Sequence, residues 1–338
     1  MIFYLIGIDH NTTPFKIREK ISFNRDDILG YWKWVSPANT AILFTCNRVE
    51  IYGVADTFKE AEHLQKKFTT LFENLFSNAY VIYGKENIFR HGLKLATGLE
   101  SQLQGETQII QQLRDWINKN NFNDFLLYLW QDILLTATKI KQQIDVKENV
   151  PSIAELVFED LSKKTTNKNN TNVMVVGTGK IAQLIAENKP GNISLLFVAR
   201  KKRKKAQAFA DLVDGGALLL EEIPEGLIDI DAIISATSSP HYALKLKHFK
   251  DIANKRKRNI YIYDLAMPRD VDPEVAQIGF NKIINIEQVI SQRNFKSTYL
   301  KEFVKETLKL IEIKTDDYRR ENETSNRIKT EQACVITS

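Results

Sequence analysis

The run VMVVGTGKIAQLIAE, residues 173 to 187, limits what this chain can fold into more than any other stretch. Four apolar residues end in a glycine, and Gly177, Gly179 and Ala182 in G-x-G-x-x-A spacing lead directly into apolar residues at helical intervals. The first glycine permits the tight turn, the second lets backbone amides approach a pyrophosphate, and the small Ala182 keeps the helix close to the sheet. The spacing alone is common, but a strand before it and a helix behind it are the context the fingerprint requires. A dinucleotide cradle built from Gly177, Thr178, Gly179, Lys180, Ile181 and Ala182 is therefore favoured over a merely tight strand-to-helix turn.

The rhythm continues with LLFVA, KKRKKAQAFADLV, DAIISAT and NIYIYDLA. Buried apolar runs alternating with amphipathic helices predict βαβ units on a parallel sheet. About 20 residues after the turn, an acidic side chain would bind the ribose 2′-hydroxyl of NAD. Arg200 stands there instead, followed by five further cations. A 2′-phosphate suits that position, so the expected cofactor is NADPH; Lys204 and Lys205 read better as a solvated helix face. Ser235, Thr237 and Ser238, after a further strand, either line the cofactor crevice or form its turn.

At 338 residues the chain exceeds what one core usually supports, so two or three domains are expected. Upstream of the dinucleotide half, YLIGIDH, AILFT and VEIYGVA read as strands. Apolar residues then recur at three- and four-residue spacing from 57 to 75 and from 86 to about 148. The expected class is an α/β multidomain protein: an N-terminal α+β catalytic domain over 1–150, a Rossmann-like NADP-binding domain over 151–285, and a long C-terminal helix with a polar, frayed tail over 286–338. The polar SKKTTNKNNTN, 162 to 172, reads as a boundary or exposed connection.

No apolar stretch approaches the ~20 residues needed to span a bilayer. The opening MIFYLIGID lacks a basic region before it and reads as a strand, and two distant cysteines offer no disulfide framework, which together suit a reducing cytoplasm. The net charge of +5 is modest, but cations cluster at 139–147, 200–205 and 246–258, where runs either hold polyanions or form solvated faces.

One of the two cysteines, Cys46, sits between two β-rich runs with Thr45, Asn47 and Arg48 beside it. An isolated cysteine is usually a small buried hydrophobe. Polar neighbours and a cation favouring the thiolate point instead to a nucleophile. A nicotinamide cofactor with a nucleophilic thiol suggests attack on an acyl carbon followed by reduction of the thioester to an aldehyde.

FTCNRVEIY resembles the S-T-C-N-R-T-E-x-Y motif of the glutamyl-tRNA reductases, as do GIDHNTTPFKIREKISF, HGLKLATGLESQLQGETQIIQQ, the glycine turn and YDLAMPRDVDPEV, from near residue 6 to near residue 290. The resemblance implies NADPH-dependent reduction of glutamyl-tRNA to glutamate 1-semialdehyde, the first step of five-carbon tetrapyrrole synthesis. It places Cys46 as the nucleophile and His91 as the group assisting it. It assigns Thr45, Asn47, Arg48, Ser101, Glu106, Thr107, Gln108 and Gln112 to the glutamyl pocket. It also implies possible pairing of two copies and handover to a glutamate-1-semialdehyde aminomutase.

GETQ stands where the family more often has GEPQ, and VARKKRKKA departs from N-R-T-x-x-R-A while keeping Arg200. Relatives continue past the long helix into a helical dimerisation domain, so a reduced dimer interface, or none, is expected. Two other readings stay open: a dehydrogenase resembling shikimate dehydrogenase with Cys46 merely structural, and a non-catalytic tRNA-binding protein on a nucleotide fold.

Overall fold

The computed structural model describes residues 1–35, 39–71, 79–106, 108–120, 122–144, 151–166, 168–253, 255–256, 258–291 and 298–336. Two compact units emerge: Met1–Arg18, Asp26–Val150 and Lys296–Ser338 form the first, and Glu19–Arg25 with Pro151–Phe295 the second.

The chain opens with strand β1 (Ile2–Asp9), buried from Phe3 onward. The Asp9 carboxylate accepts from the backbone N–H of Asn11 and Thr12 at 2.9 and 3.0 Å, turning the chain into helix α1 (Phe15–Phe23). Helix α2 (Arg25–Val35), strands β2 (Thr40–Phe44) and β3 (Arg48–Ala55), helix α3 (Phe58–Leu71) and strand β4 (Tyr80–Tyr83) follow. Then come helices α4 (Lys85–Ala96), α5 (Ile109–Lys119) and α6 (Asp124–Gln143). The strands form an antiparallel sheet ordered β2-β3-β1-β4. One sheet face contributes Leu5, Leu43, Tyr52 and Val54 to a core shared with Trp116, Trp130 and Ile133.

The C-terminal helix, Thr298–Ile336, closes this core with Leu300, Phe303, Ile311 and Tyr318, residues at the three-, seven- and eight-residue intervals of one helical face. Tyr318 stacks on Phe89 at 3.9 Å between ring centroids. The tail expected to fray is helical to Ile336; its lysines, glutamates and glutamines are good helix formers, and polarity alone was a poor guide.

In the second unit, α7 (Ile153–Lys164) starts at a capping box in which Ser152 and Glu155 satisfy each other's backbone N–H. Strand β5 (Thr171–Val176), α8 (Lys180–Glu187), β6 (Ile193–Ala199), α9 (Arg203–Val213), β7 (Gly216–Leu219) and α10 (Ile223–Gly226) follow. Next are β8 (Ala232–Ser235), α11 (Lys250–Ala253), β9 (Ile260–Asp264), β10 (Asn281–Asn285) and α12 (Ile286–Ser291). The six strands are parallel in the order β10-β9-β8-β5-β6-β7. The chain runs outward from β5 to one edge, then returns to β8 and runs to the other. This doubly wound sheet has its topological switch between β5 and β8, the place where ligands of such sheets bind. The polar segment 162–172 connects α7 to β5 inside this unit.

Candidate functional site

The thiol owes its position to a hairpin. Strands β2 and β3 pair in register from Thr40–Gly53 to Phe44–Val49, and the Thr45 N–H donates to the Arg48 carbonyl at 2.9 Å to close the turn. The Thr45 hydroxyl accepts from the backbone N–H of Asn47 and Arg48, each at 3.2 Å. Cys46 is thereby carried at the tip, exposed. The Thr45 hydroxyl, expected to touch substrate, holds this turn.

The residue has open surface, yet the protein around its sulfur is as dense as an interior. Surface decides what can reach the thiol, and surrounding density decides the direction of its titration. Burial pushes the Cys46 thiol up and Glu106 adds to this, while Arg18 and Arg48 pull the other way and lose. The expectation that Arg48 makes this a low-pKa thiolate is therefore corrected. The guanidinium is inside the protein, its side chain 2% exposed, with Nη1 donating to Glu50 at 2.7 Å and Nη2 to the Glu100 carbonyl at 2.5 Å.

Glu50 is the residue that sequence reading missed. Fully buried on β3, it accepts from Arg48, from the hydroxyls of Tyr52 and Tyr80, each at 2.5 Å, and pairs with His91 Nε2 at 2.9 Å. Burial alone would push its carboxyl up, but Arg48, His91 and Tyr52 together hold it well below the usual carboxylate range. The ionised carboxylate accepts from the imidazole, so Nε2 carries a proton.

The sheet register explains why these groups can meet. Gly7 of β1 lies opposite Glu50 on one side and Tyr80 on the other. A Cβ at Gly7 would stand 2.8 Å from Glu50 Cγ and 2.9 Å from Tyr80 Cζ. The glycine leaves the gap in which carboxylate and phenol join across three strands. The signal in the sequence was Arg48, Glu50 and Tyr52 at two-residue intervals, which places all three on one face of a strand.

The loop after α4 carries the other expected pocket residues. Ser101 is buried, Glu106 is half-buried, Gln108 stands at the start of α5, and Gln112 is exposed on that helix. Thr107 lies outside the described residues. Burial raises the Glu106 carboxyl, and Lys141, whose ammonium donates to the Glu106 carbonyl at 3.4 Å, only partly offsets this.

In the second unit Gly177 has φ +123°, and a Cβ there would meet the Ala236 carbonyl oxygen at 2.6 Å. Only glycine fits where β5 and β8 end side by side. Gly179, at the head of α8, has nothing within 4 Å of its Cβ position, and no side chain caps the helix's first amides. Open space before uncapped amides fits a dinucleotide pyrophosphate. Thr178, Lys180 and Ile181 flank this turn, Ala182 is fully buried against the sheet, and Arg200 is exposed just past β6. Ser235 and Thr237 are turn formers: both hydroxyls and the Thr237 N–H donate to the carboxylate of buried Asp270. Arg269 pairs with Glu19, and Asp264 accepts the N–H groups of Asp270 and Val271 at 3.1 and 3.0 Å.

Among the described residues no group of three or more His, Cys, Asp and Glu is placed to hold a metal ion, and no helix is long and apolar enough to cross a membrane. A doubly wound sheet with a dinucleotide turn at its switch point, in one chain with a thiol-bearing α+β unit, defines a nucleotide-dependent oxidoreductase. Residues 6–144 match the family model of the glutamyl-tRNAGlu reductase N-terminal domain, and residues 159–291 that of shikimate/quinate 5-dehydrogenase. The glutamyl-tRNA reductase of Marinobacter nauticus is 30% identical over 314 residues, covering 86% of this chain and 72% of that one. The Macrococcus caseolyticus glutamyl-tRNA reductase is 31% identical over 290 residues, covering 81% and 65%. The solved glutamyl-tRNA reductase from Methanopyrus kandleri superposes with a TM-score of 0.49 at 24% identity, over 95% of this chain and 80% of that one. The chain belongs to the glutamyl-tRNA reductase family.

Proposed function

We propose that this protein reduces glutamyl-tRNA to glutamate 1-semialdehyde with NADPH, through a thioester on Cys46, as the first step of tetrapyrrole synthesis. The observation that carries the reading is an exposed thiol at the tip of a hairpin, within the segment matching the reductase N-terminal domain. Its sulfur attacks the glutamyl carbonyl carbon, the C–O bond to the terminal ribose breaks, and that oxygen leaves protonated. Because burial pushes the Cys46 thiol up, attack needs a proton acceptor. His91, with Nε2–H committed to Glu50, offers Nδ1.

The chemistry a bound nicotinamide supplies is hydride transfer to the acyl carbon. Gly177, Thr178, Gly179, Lys180, Ile181 and Ala182 hold its pyrophosphate, and Arg200 takes a 2′-phosphate. Asn47, Ser101, Glu106, Thr107, Gln108 and Gln112 surround the glutamyl group, while Thr45 and Arg48 shape the turn. When the aldehyde forms, the Cys46 sulfur departs as thiolate and regains its proton from solvent. The reading also carries a cytoplasmic setting, handover of the aldehyde to glutamate-1-semialdehyde aminomutase, and pairing of two copies through the C-terminal helix.

The test is incubation with glutamyl-tRNA, without and with NADPH. A glutamyl adduct located on Cys46 by mass spectrometry in the first case, and aldehyde in the second, are expected. Cys46→Ser should lose both, and an unchanged rate in that variant would overturn the thioester route. Binding of charged tRNA with neither adduct nor aldehyde would overturn the reductase reading.

A further inference from the structure

The chain's formal charge of +5 is distributed unevenly. The fourteen residues from Lys245 to Arg258 contain seven lysines and arginines against one aspartate, so the rest of the molecule is close to neutral. Lys245, Lys247, Lys250, Lys255 and Arg258 are exposed, and among the described residues no carboxylate is paired with any of them. By contrast, Lys163, Lys164, Lys168, Arg203 and Arg269 of the same unit face Glu159, Asp160, Asp231, Glu222 and Glu19. An exposed run of cations is most often a solvated face, but such a face usually intersperses acids.

Among its described residues the segment is held by hydrogen bonds near both ends. Buried Arg256 donates to the carbonyls of Leu227 at 3.2 Å, Ile228 at 2.6 Å, Asn259 at 3.3 Å and Ile230. Buried His248 accepts the Lys245 N–H through Nδ1 at 3.2 Å, and Leu244 bridges to Val271. Burial lowers the His248 pKa, and Lys247 and Lys245 push it further down, as an uncompensated positive field does. Lys245, Lys247, Lys255 and Arg258 therefore flank residues already held by hydrogen bonds, so less conformational entropy is lost when a polyanion is bound.

We infer that this band is an RNA-backbone contact, through which the second unit grips phosphates of the tRNA portion of the substrate. The inference rests on the reductase reading. A membrane surface fits less well: among the described residues none of the exposed large hydrophobic side chains lies in the segment, and interfacial binders pair cations with inserting apolar groups.

The experiment measures binding of uncharged glutamate-specific tRNA across a salt series. It compares the unaltered protein, a variant with Lys245, Lys247, Lys250 and Lys255 changed to Gln, the same four changed to Arg, and a control with Lys59, Lys66 and Lys67 changed to Gln. The Gln variant is expected to lose roughly tenfold or more in affinity near 0.15 M salt, with a log–log salt slope shallower by about one per phosphate contact removed. The Arg variant and the control should keep both.

Affinity and slope unchanged in the Gln variant, while the unaltered protein binds and reduces normally, overturn the band and leave the reductase standing. An unaltered protein that neither binds tRNA nor forms aldehyde fails the underlying reading instead. Should the Gln variant not fold, lysine acetylation footprinting of the unaltered protein decides: protection of these four lysines by tRNA supports the contact, and equal labelling with and without it overturns it. Protection by anionic vesicles and not by tRNA also overturns it.

Discussion

Cys46 is accessible and yet electrostatically disfavoured as a thiolate, and Glu106 is the charge responsible after burial itself. Replacing Glu106 by Gln should therefore lower the thiol pKa and speed alkylation of Cys46 at pH 7.5, followed peptide by peptide so that Cys334 does not interfere. A rate no faster than that of the unaltered protein would refute the assigned cause. Glu50 poses the opposite situation, a charge that is stable only because four donors surround it. Glu50→Ala would strand the Arg48 guanidinium in the interior, a change that typically costs about 3–5 kcal/mol. Glu50→Gln keeps the shape but removes the charge and should destabilise less. A denaturant series that found both variants as stable as the parent would show that the buried cluster contributes nothing.

Legibility from sequence differed sharply between kinds of element. Strands β1, β3, β5, β6, β8 and β9 lie inside their sheets, and all but β3, which carries Glu50 within it, are marked by a short apolar run. The strands that went unread, β4, β7 and β10, are all edges, short and mostly half-buried, so no run of buried residues marks them. The glycine turn was legible because its constraint is local: Gly177 must take a positive φ next to the Ala236 carbonyl. Glu50, Tyr80 and His91 were not legible as a set, since they meet only through the register of β3, β1 and β4 and the packing of α4. Gly177→Ala follows from the local constraint and should abolish NADPH binding measured by titration while sparing tRNA binding. Retained NADPH affinity would mean that the turn tolerates a Cβ and that the close approach to Ala236 is not limiting.

For the whole molecule, the acid side of the stability profile should show His10. Burial brings its pKa to about 4 from the ordinary 6.5, Arg48 and Arg18 assist, Asp9 opposes, and among the described residues Nδ1 has no hydrogen-bond partner. Between those values the unfolded chain takes up a proton that the folded chain refuses. The stability from neutral His10 is thus complete above pH 6.5 and is lost as the pH falls toward 4. Urea midpoints at pH 7 and 4.5 should drop less for His10→Gln than for the parent, and an equal drop would rule this source out. All four tryptophans of the chain fall in the first unit. Trp130 sits edge-on to Tyr52 at 4.9 Å, and Trp116 is 5.0 Å from Trp130 and donates to the Ile42 carbonyl. Because the Tyr52 hydroxyl holds Glu50, tryptophan emission, excited where tyrosine does not absorb, should register any disturbance of the buried carboxylate cluster while remaining blind to melting of the nucleotide sheet, an optical separation of the two halves that needs no label.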